Sequence, residues 1–203
     1  MYLSKVMISG AACRNPYEIH RALWKLFPTD ADAARDFLFR VERSGQRDSE
    51  ILMQSLREPL GADAPINEAR LLGSKQYTLS LTQGQNLRFK LLANPVKTIN
   101  DEGGRLTTKG EVKKCRVPLV RDEELEVWLI RKLAGIAEIK TVEVEKRLPL
   151  NFRKASEKRI GKVQPVCFQG TLAVTDPASL EELVQKGIGP GKAFGCGLLS
   201  LAK

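Results

Sequence analysis

His20 is the only histidine in the chain, and it follows Tyr17 by one helical turn in NPYEIHRALWKLF. Imidazole titrates near neutrality, and a phenol beside it can share a proton, so the pair holds the parts of general acid–base catalysis. RNA brings its own nucleophile, the 2′-hydroxyl. Cutting it without a metal needs a base for that proton, an acid for the departing 5′-oxygen and positive charge near the phosphorus. With one histidine a second group must share the work, and Tyr17 is the nearest. Lys25 or Lys192 could supply charge. Lys25 lies well round the helix from His20 and would rely on its long stem.

On a helical wheel Ile19, Leu23 and Leu26 cluster toward a core, Tyr17, Arg21 and Trp24 fall opposite, and His20 lies on the flank. That position suits a catalytic base. It suits a half-buried histidine bonded to Tyr17 equally well.

A glycine-rich run, GIGPGKAFGCGLLSL, closes the chain at 187–201. Glycine permits positive φ and close approach to a ligand, and exposed N–H groups can hold phosphate. Gly189, Gly191 and Lys192 are the candidate contacts. The spacing matches neither a Walker loop nor a dinucleotide fingerprint. A tight helix-to-strand connection would also explain it.

Thirty-three Lys and Arg against 24 Asp and Glu give a net charge of +9. This excess points to polyanions, nucleic acid before membrane surface. The charge is concentrated at 88–116, with Lys97, Lys113, Lys114 and Arg116, and at 146–162, with Arg153, Lys158 and Arg159. The stretch 122–126 is acidic. Cys13, Cys115, Cys167 and Cys196 form no CxxC pair and, beside one histidine, no zinc site. They read as free thiols in a reducing cytosol. Asp30 and Asp32 read as a solvated loop and helix cap after Pro28, not as metal ligands. No metal and no cofactor is expected. No apolar run approaches the roughly 20 residues of a membrane span, and no signal-peptide h-region is present, so a cytoplasmic location is expected.

The elements that must position these residues read as follows. YLSKVMIS is a strand; Asn15 caps a helix from Pro16 to Phe27; 35–42 and 50–58 are strands; INEARLLG is a short helix; 75–82 is a strand. The second half repeats the order: a long strand over 86–98, a loop or hairpin to 114, a helix over 121–136 and a strand over 138–145. A basic loop, LNFRKASEKRIG, precedes a strand over 162–174 with Pro165 at an edge or bulge. A helix capped by Asp176 then runs from Pro177 to Lys186, and GLLSLA is the last strand. The class is α+β: two tandem ferredoxin-like, RRM-like βαββαβ domains, over 1–84 with the catalytic helix and over 85–203 with the basic segments and glycine loop. The aromatics of FLFRVE and RFKLL match RNP motifs poorly and read as core.

MYLSKV, the Tyr17–His20 pair, TDADAARDFLFRVE, RFKLLANPVKT, KKCRVPLV and GIGPGKAFGCGLLSLA stand in order along the whole chain. Together they resemble the CRISPR RNA-processing endoribonucleases of the CasE type, subunits of the type I-E Cascade complex. The resemblance implies two tandem ferredoxin-like domains and binding to the hairpin of a CRISPR repeat. It implies metal-independent cleavage at the 3′ base of that hairpin, leaving a 5′-hydroxyl and a 2′,3′-cyclic phosphate. It also implies retention on the product and assembly with other Cascade subunits. His20 and Tyr17 fall at the expected catalytic pair. Arg21, Lys97, Lys113, Lys114, Arg116, Arg153, Lys158 and Arg159 are RNA-binding candidates by charge and segment. A non-catalytic hairpin-binding subunit on the same fold, and a scaffold binding acidic partners, would share the basic surface.

Overall fold

The computed structural model describes residues 1–27, 36–61, 68–153 and 160–203. The readings at Pro28, Asp30 and Asp32, and those at Lys158 and Arg159, lie outside the described residues.

The first sheet is built from β1 (Tyr2–Ser9), β2 (Phe37–Ser44), β3 (Asp48–Ser55) and β4 (Ala69–Gln76), in the order β2-β3-β1-β4, all antiparallel. Helix α1 (Pro16–Trp24) covers one face. Val6, Ile8, Ile19, Leu23, Phe37, Phe39, Ile51 and Met53 form the core between them.

The second sheet takes β5 (Asn86–Ala93), β8 (Ala137–Lys146), β11 (Val166–Val174) and β12 (Leu199–Ala202), in the order β12-β5-β11-β8. Helices α2 (Asp122–Leu133) and α3 (Pro177–Lys186) pack on it through Leu125, Trp128, Leu129, Leu180 and Val184. Both sheets have the strand order of the ferredoxin-like fold, the last strand beside the first and the third between first and second. Two hairpins are inserted in the second half: β6 (Val96–Asn100) with β7 (Lys114–Pro118), and β9 (Leu150–Arg153) with β10 (Ile160–Val163).

Several expected elements are corrected. The short helix read in INEARLLG is not formed at Ala69–Gly73; these residues are β4, paired to β1, and its start at 66–67 lies outside the described residues. Cross-strand pairing overrides the helical preference of ARLL. Strand β4 ends at Gln76, so 77–82 is not strand. The strand read over 86–98 breaks at Asn94–Pro95, where proline lacks the donor a ladder needs, and β6 turns away to pair with β7. Gln164–Pro165 breaks the strand read over 162–174 in the same way. The basic loop is partly strand, β9 and β10. Helix α1 ends at Trp24 and α2 at Leu133, short of the expected 27 and 136.

β2 is an edge strand, yet Phe37, Leu38, Phe39 and Arg40 are all buried. Phe37 and Phe39 face α1. Leu38 meets Gly187, and Arg40 reaches β5 and β12, so the second half covers the other face. Gln54 donates across the same junction to the Val184 carbonyl at 2.9 Å. No helix among the described residues is long and apolar enough to cross a membrane.

Candidate active site

Local chemistry sets the start of α1. The Asn15 side-chain oxygen accepts the Tyr17 amide at 3.0 Å, and Pro16, with its φ already helical, opens the first turn. Ile19, Ala22 and Leu23 then face the sheet, and Tyr17 and His20 are half-buried at its margin. The His20 ring sits over β2. Its centroid is 5.5 Å from that of Phe37 and 6.4 Å from that of Phe39, with interplanar angles of 33° and 28°. Trp24 closes a third side edge-on at 6.3 Å, and the Nε2 atom is buried. Trp24, opposite the core-facing residues on the wheel, is half-buried, and one side of it packs edge-on to Phe37 at 5.3 Å. The outcome is an imidazole fixed at the boundary of core and solvent, one turn from a phenol.

The cationic candidates on α1 are held in exposed ion pairs. Arg21 meets Glu18 at 3.2 Å and Lys25 meets Glu68 at 2.6 Å. The Lys25 ammonium holds the Glu68 carboxyl below its ordinary range. Exposed pairs are weak and easily exchanged for a phosphate.

Two further elements converge on α1. One is the 3-10 turn Lys192–Phe194 of the glycine run, and the other is β9. The two sequence features that first suggested chemistry are therefore neighbours, with the basic hairpin β9–β10, which carries Arg153, beside them.

The glycine run packs inward. A Cβ on Gly189 would lie 3.0 Å from the Trp128 ring, one on Gly191 3.3 Å from Asn94, and one on Gly195 3.2 Å from the Phe39 ring. The amides of Ile188, Phe194, Gly195, Cys196 and Gly197 donate to carbonyls within the protein. Lys192 Nζ donates to the Lys186 carbonyl. The tight-connection reading accounts for most of the run, and the amides of Gly189 and Gly191 are not among those donors.

The other basic block stands elsewhere. Lys113, Lys114 and Arg116 are exposed on the β6–β7 hairpin, whose Lys97 pairs with Glu124 of α2 at 3.1 Å. Asp101 closes the hairpin, binding Arg105 at 2.6 Å and accepting from Cys115 Sγ at 3.3 Å; the Arg105 guanidinium holds its carboxyl far below the carboxylate range. The four cysteines are unbridged. Burial pushes the Cys196 thiol up to about 12. Among the described residues no three His, Cys, Asp or Glu side chains are grouped to hold a metal ion.

Sequence reasoning missed a cleft of about 660 Å³ beside α1, lined by Arg14, Pro16, Ile19, Arg40, Glu42, Lys90, Arg147 and Phe194 among others. Its one legible signal is Arg40, an arginine inside the apolar run FLFRV, since a buried arginine must have partners. Glu42 supplies one, at 2.6 Å.

A protein-family profile described as "CRISPR associated protein" matches residues 1–203. The Escherichia coli (strain K12) protein "CRISPR system Cascade subunit CasE" is 45% identical over 203 residues, covering 100% of this chain and 99% of that one. The Thermus thermophilus protein "CRISPR-associated endoribonuclease Cse3" is 33% identical over 215 residues, covering 100% of both. A solved structure of CRISPR endoribonuclease Cse3 bound to 19 nt RNA superposes with a TM-score of 0.79 at 32% identity, covering 100% of each chain.

Proposed function

The chain belongs to the family of CRISPR-associated proteins, and on that premise we propose that it is the endoribonuclease that processes CRISPR RNA and then serves as a Cascade subunit. Its substrate is the repeat hairpin of the precursor transcript, and it acts in the cytoplasm. The observation that carries this reading is the convergence on α1. A lone His20, one turn from Tyr17, lies on the helix that both the glycine turn and strand β9 contact.

The stem is held by phosphate contacts from lysines and arginines, which position it without reading bases. Arg21 serves the side near the cut, with the amides of Gly189 and Gly191 and the charge of Lys192, and Arg153, Lys158 and Arg159 of the second basic segment add phosphate contacts. Lys97, Lys113, Lys114 and Arg116 extend the contact along the stem. The 2′-hydroxyl attacks the adjacent phosphorus and the 5′-oxygen leaves, giving a 2′,3′-cyclic phosphate and a 5′-hydroxyl. No metal is required, because His20 and Tyr17 divide the removal of the 2′-proton and the protonation of the leaving oxygen. Lys25, released from Glu68, adds charge near the phosphorane.

The test compares wild type with His20→Ala on a repeat hairpin. Cleavage should fall by about 10²–10⁴-fold, the usual contribution of a positioned acid or base, with affinity within a few-fold. A parallel collapse of affinity would make His20 structural instead.

A further inference from the structure

The glycine run has a second relation to the site, which passes through the core. Phe39 is fully buried on β2, with the His20 ring on one side, stacked at 6.4 Å. On another side stands Gly195. An ideal Cβ there would lie 3.2, 3.6 and 3.8 Å from the Phe39 Cε2, Cδ2 and Cζ atoms. The backbone of Gly195 is left-handed at φ +84°, a conformation that strains any residue with a side chain. Two requirements therefore meet at one residue: positive φ and no side chain against an aromatic ring.

Phe39 has no exposed surface into which to give, and the rings beside it on the same face are themselves packed. Phe37, two residues earlier on the same face, stacks on Phe27 at 5.4 Å and lies 5.5 Å from His20. Arg57 lies over the Phe27 ring at 5.1 Å. The amide of Gly195 donates back to the Lys192 carbonyl, which fixes the turn. Close-packed interiors transmit such displacements instead of absorbing them.

We infer that Phe39, seated against Gly195, is a positioning residue that sets the orientation of the His20 imidazole. The inference rests on the proposed function only for its effect on catalysis; the orientation itself can be read in the RNA-free protein. Gly195 acts on the site through Phe39 and the core, a role separate from any contact its turn makes with RNA.

The test uses the fact that His20 is the only histidine, so the imidazole gives a single set of proton resonances. In the full chain without RNA, these resonances should carry ring-current shifts from Phe37 and Phe39. Phe39→Leu should relieve part of them, and Gly195→Ala should move them although residue 195 does not itself stack on the histidine. With a repeat hairpin, both variants should lose about 10–100-fold in kcat, the effect of displacing a catalytic group by about 1 Å, while hairpin Kd stays within about twofold. Gly195→Ser, which keeps the crowding, should behave like Gly195→Ala. His20 resonances unmoved in folded Phe39→Leu and Gly195→Ala would overturn the inference. Moved resonances with unchanged kcat would overturn its catalytic part while leaving the proposed nuclease intact. Absence of cleavage by wild type would instead sink the proposed function, and the His20 resonances of Gly195→Ala and Gly195→Ser, which keep the Phe39 ring, would then decide whether Phe39 orients His20.

Discussion

Arg40 of the first sheet donates to Ser200 of the second, Nη2 to Oγ at 3.0 Å, while its Nη1 donates to the carbonyls of Leu198 at 3.2 Å and Lys90 at 3.3 Å. One nearly buried guanidinium thus joins three strands of two sheets. Glu42 balances its charge at 2.6 Å and pairs also with Lys90 at 2.8 Å. Removing one partner of a buried pair strands the other and its acceptors. Arg40→Ala should therefore destabilise the chain by on the order of 3 kcal/mol. Urea unfolding measures this, and a loss below about 1 kcal/mol would show that the junction does not depend on Arg40.

The same network predicts a pH dependence. Burial pushes the Glu42 carboxyl up, but hydrogen bonds and charge from Lys90 and Arg40 outweigh it and hold the group below its ordinary value. A depressed carboxylate stabilises the fold above its unfolded pKa, and that contribution disappears as pH falls through the folded value. The stability difference between wild type and Glu42→Gln should be full at pH 7 and shrink below about pH 4.5, the ordinary carboxyl value. Subtracting the variant removes the acid sensitivity of Asp101 and Asp176, whose carboxyls are also depressed. A difference that is constant from pH 7 to pH 3 would contradict the assignment.

Gly187 makes a sharper steric demand. Its φ is +73° and ψ 159°, a region open essentially to glycine, and a Cβ there would lie 2.7 Å from Leu38 Cδ1 and 2.9 Å from the Gly197 carbonyl oxygen. Gly187→Ala should cost at least about 1–3 kcal/mol from backbone strain alone. A melting temperature equal to wild type would show that the junction between Leu38 and the glycine run can open.

For the outlying hairpin the expected effect is electrostatic. Lys113 and Lys114 are exposed at the loop end of its ladder, where Lys114 pairs with Asn100. Replacing both by Ala should weaken hairpin RNA binding and lower the slope of log K against log salt by about one to two, one for each lost phosphate contact. An unchanged slope would place the stem away from the β6–β7 hairpin.

Where a residue's partner is local, the structure was legible from sequence. Asn15–Pro16 and Asp176–Pro177 announce two helix starts, and the caps form, with Asp176 accepting the Ala178 and Ser179 amides at 3.1 and 3.2 Å. Partners distant in sequence were not legible. ARLL at 69–72 reads as helix until β1 lies beside it. Pro95 and Pro165 were visible, yet only the hairpins they release explain why those strands end there. At the site, His20 on the flank of α1 was readable from periodicity. The rings beneath it, the turn of Gly195 against Phe39 and the Arg40 junction depend on contacts between distant segments, which spacing along the chain does not encode.

In the proposed reaction RNA is cut by its own 2′-hydroxyl with His20 taking part. The most direct measurement is cleavage of a labelled repeat hairpin in EDTA, with a parallel substrate carrying a 2′-deoxy sugar at the scissile nucleotide. Wild type should cut the ribose hairpin to a cyclic phosphate, leave the deoxy hairpin bound but intact, and lose cutting in His20→Ala. Cleavage of the deoxy substrate, or full activity in His20→Ala, would contradict the account.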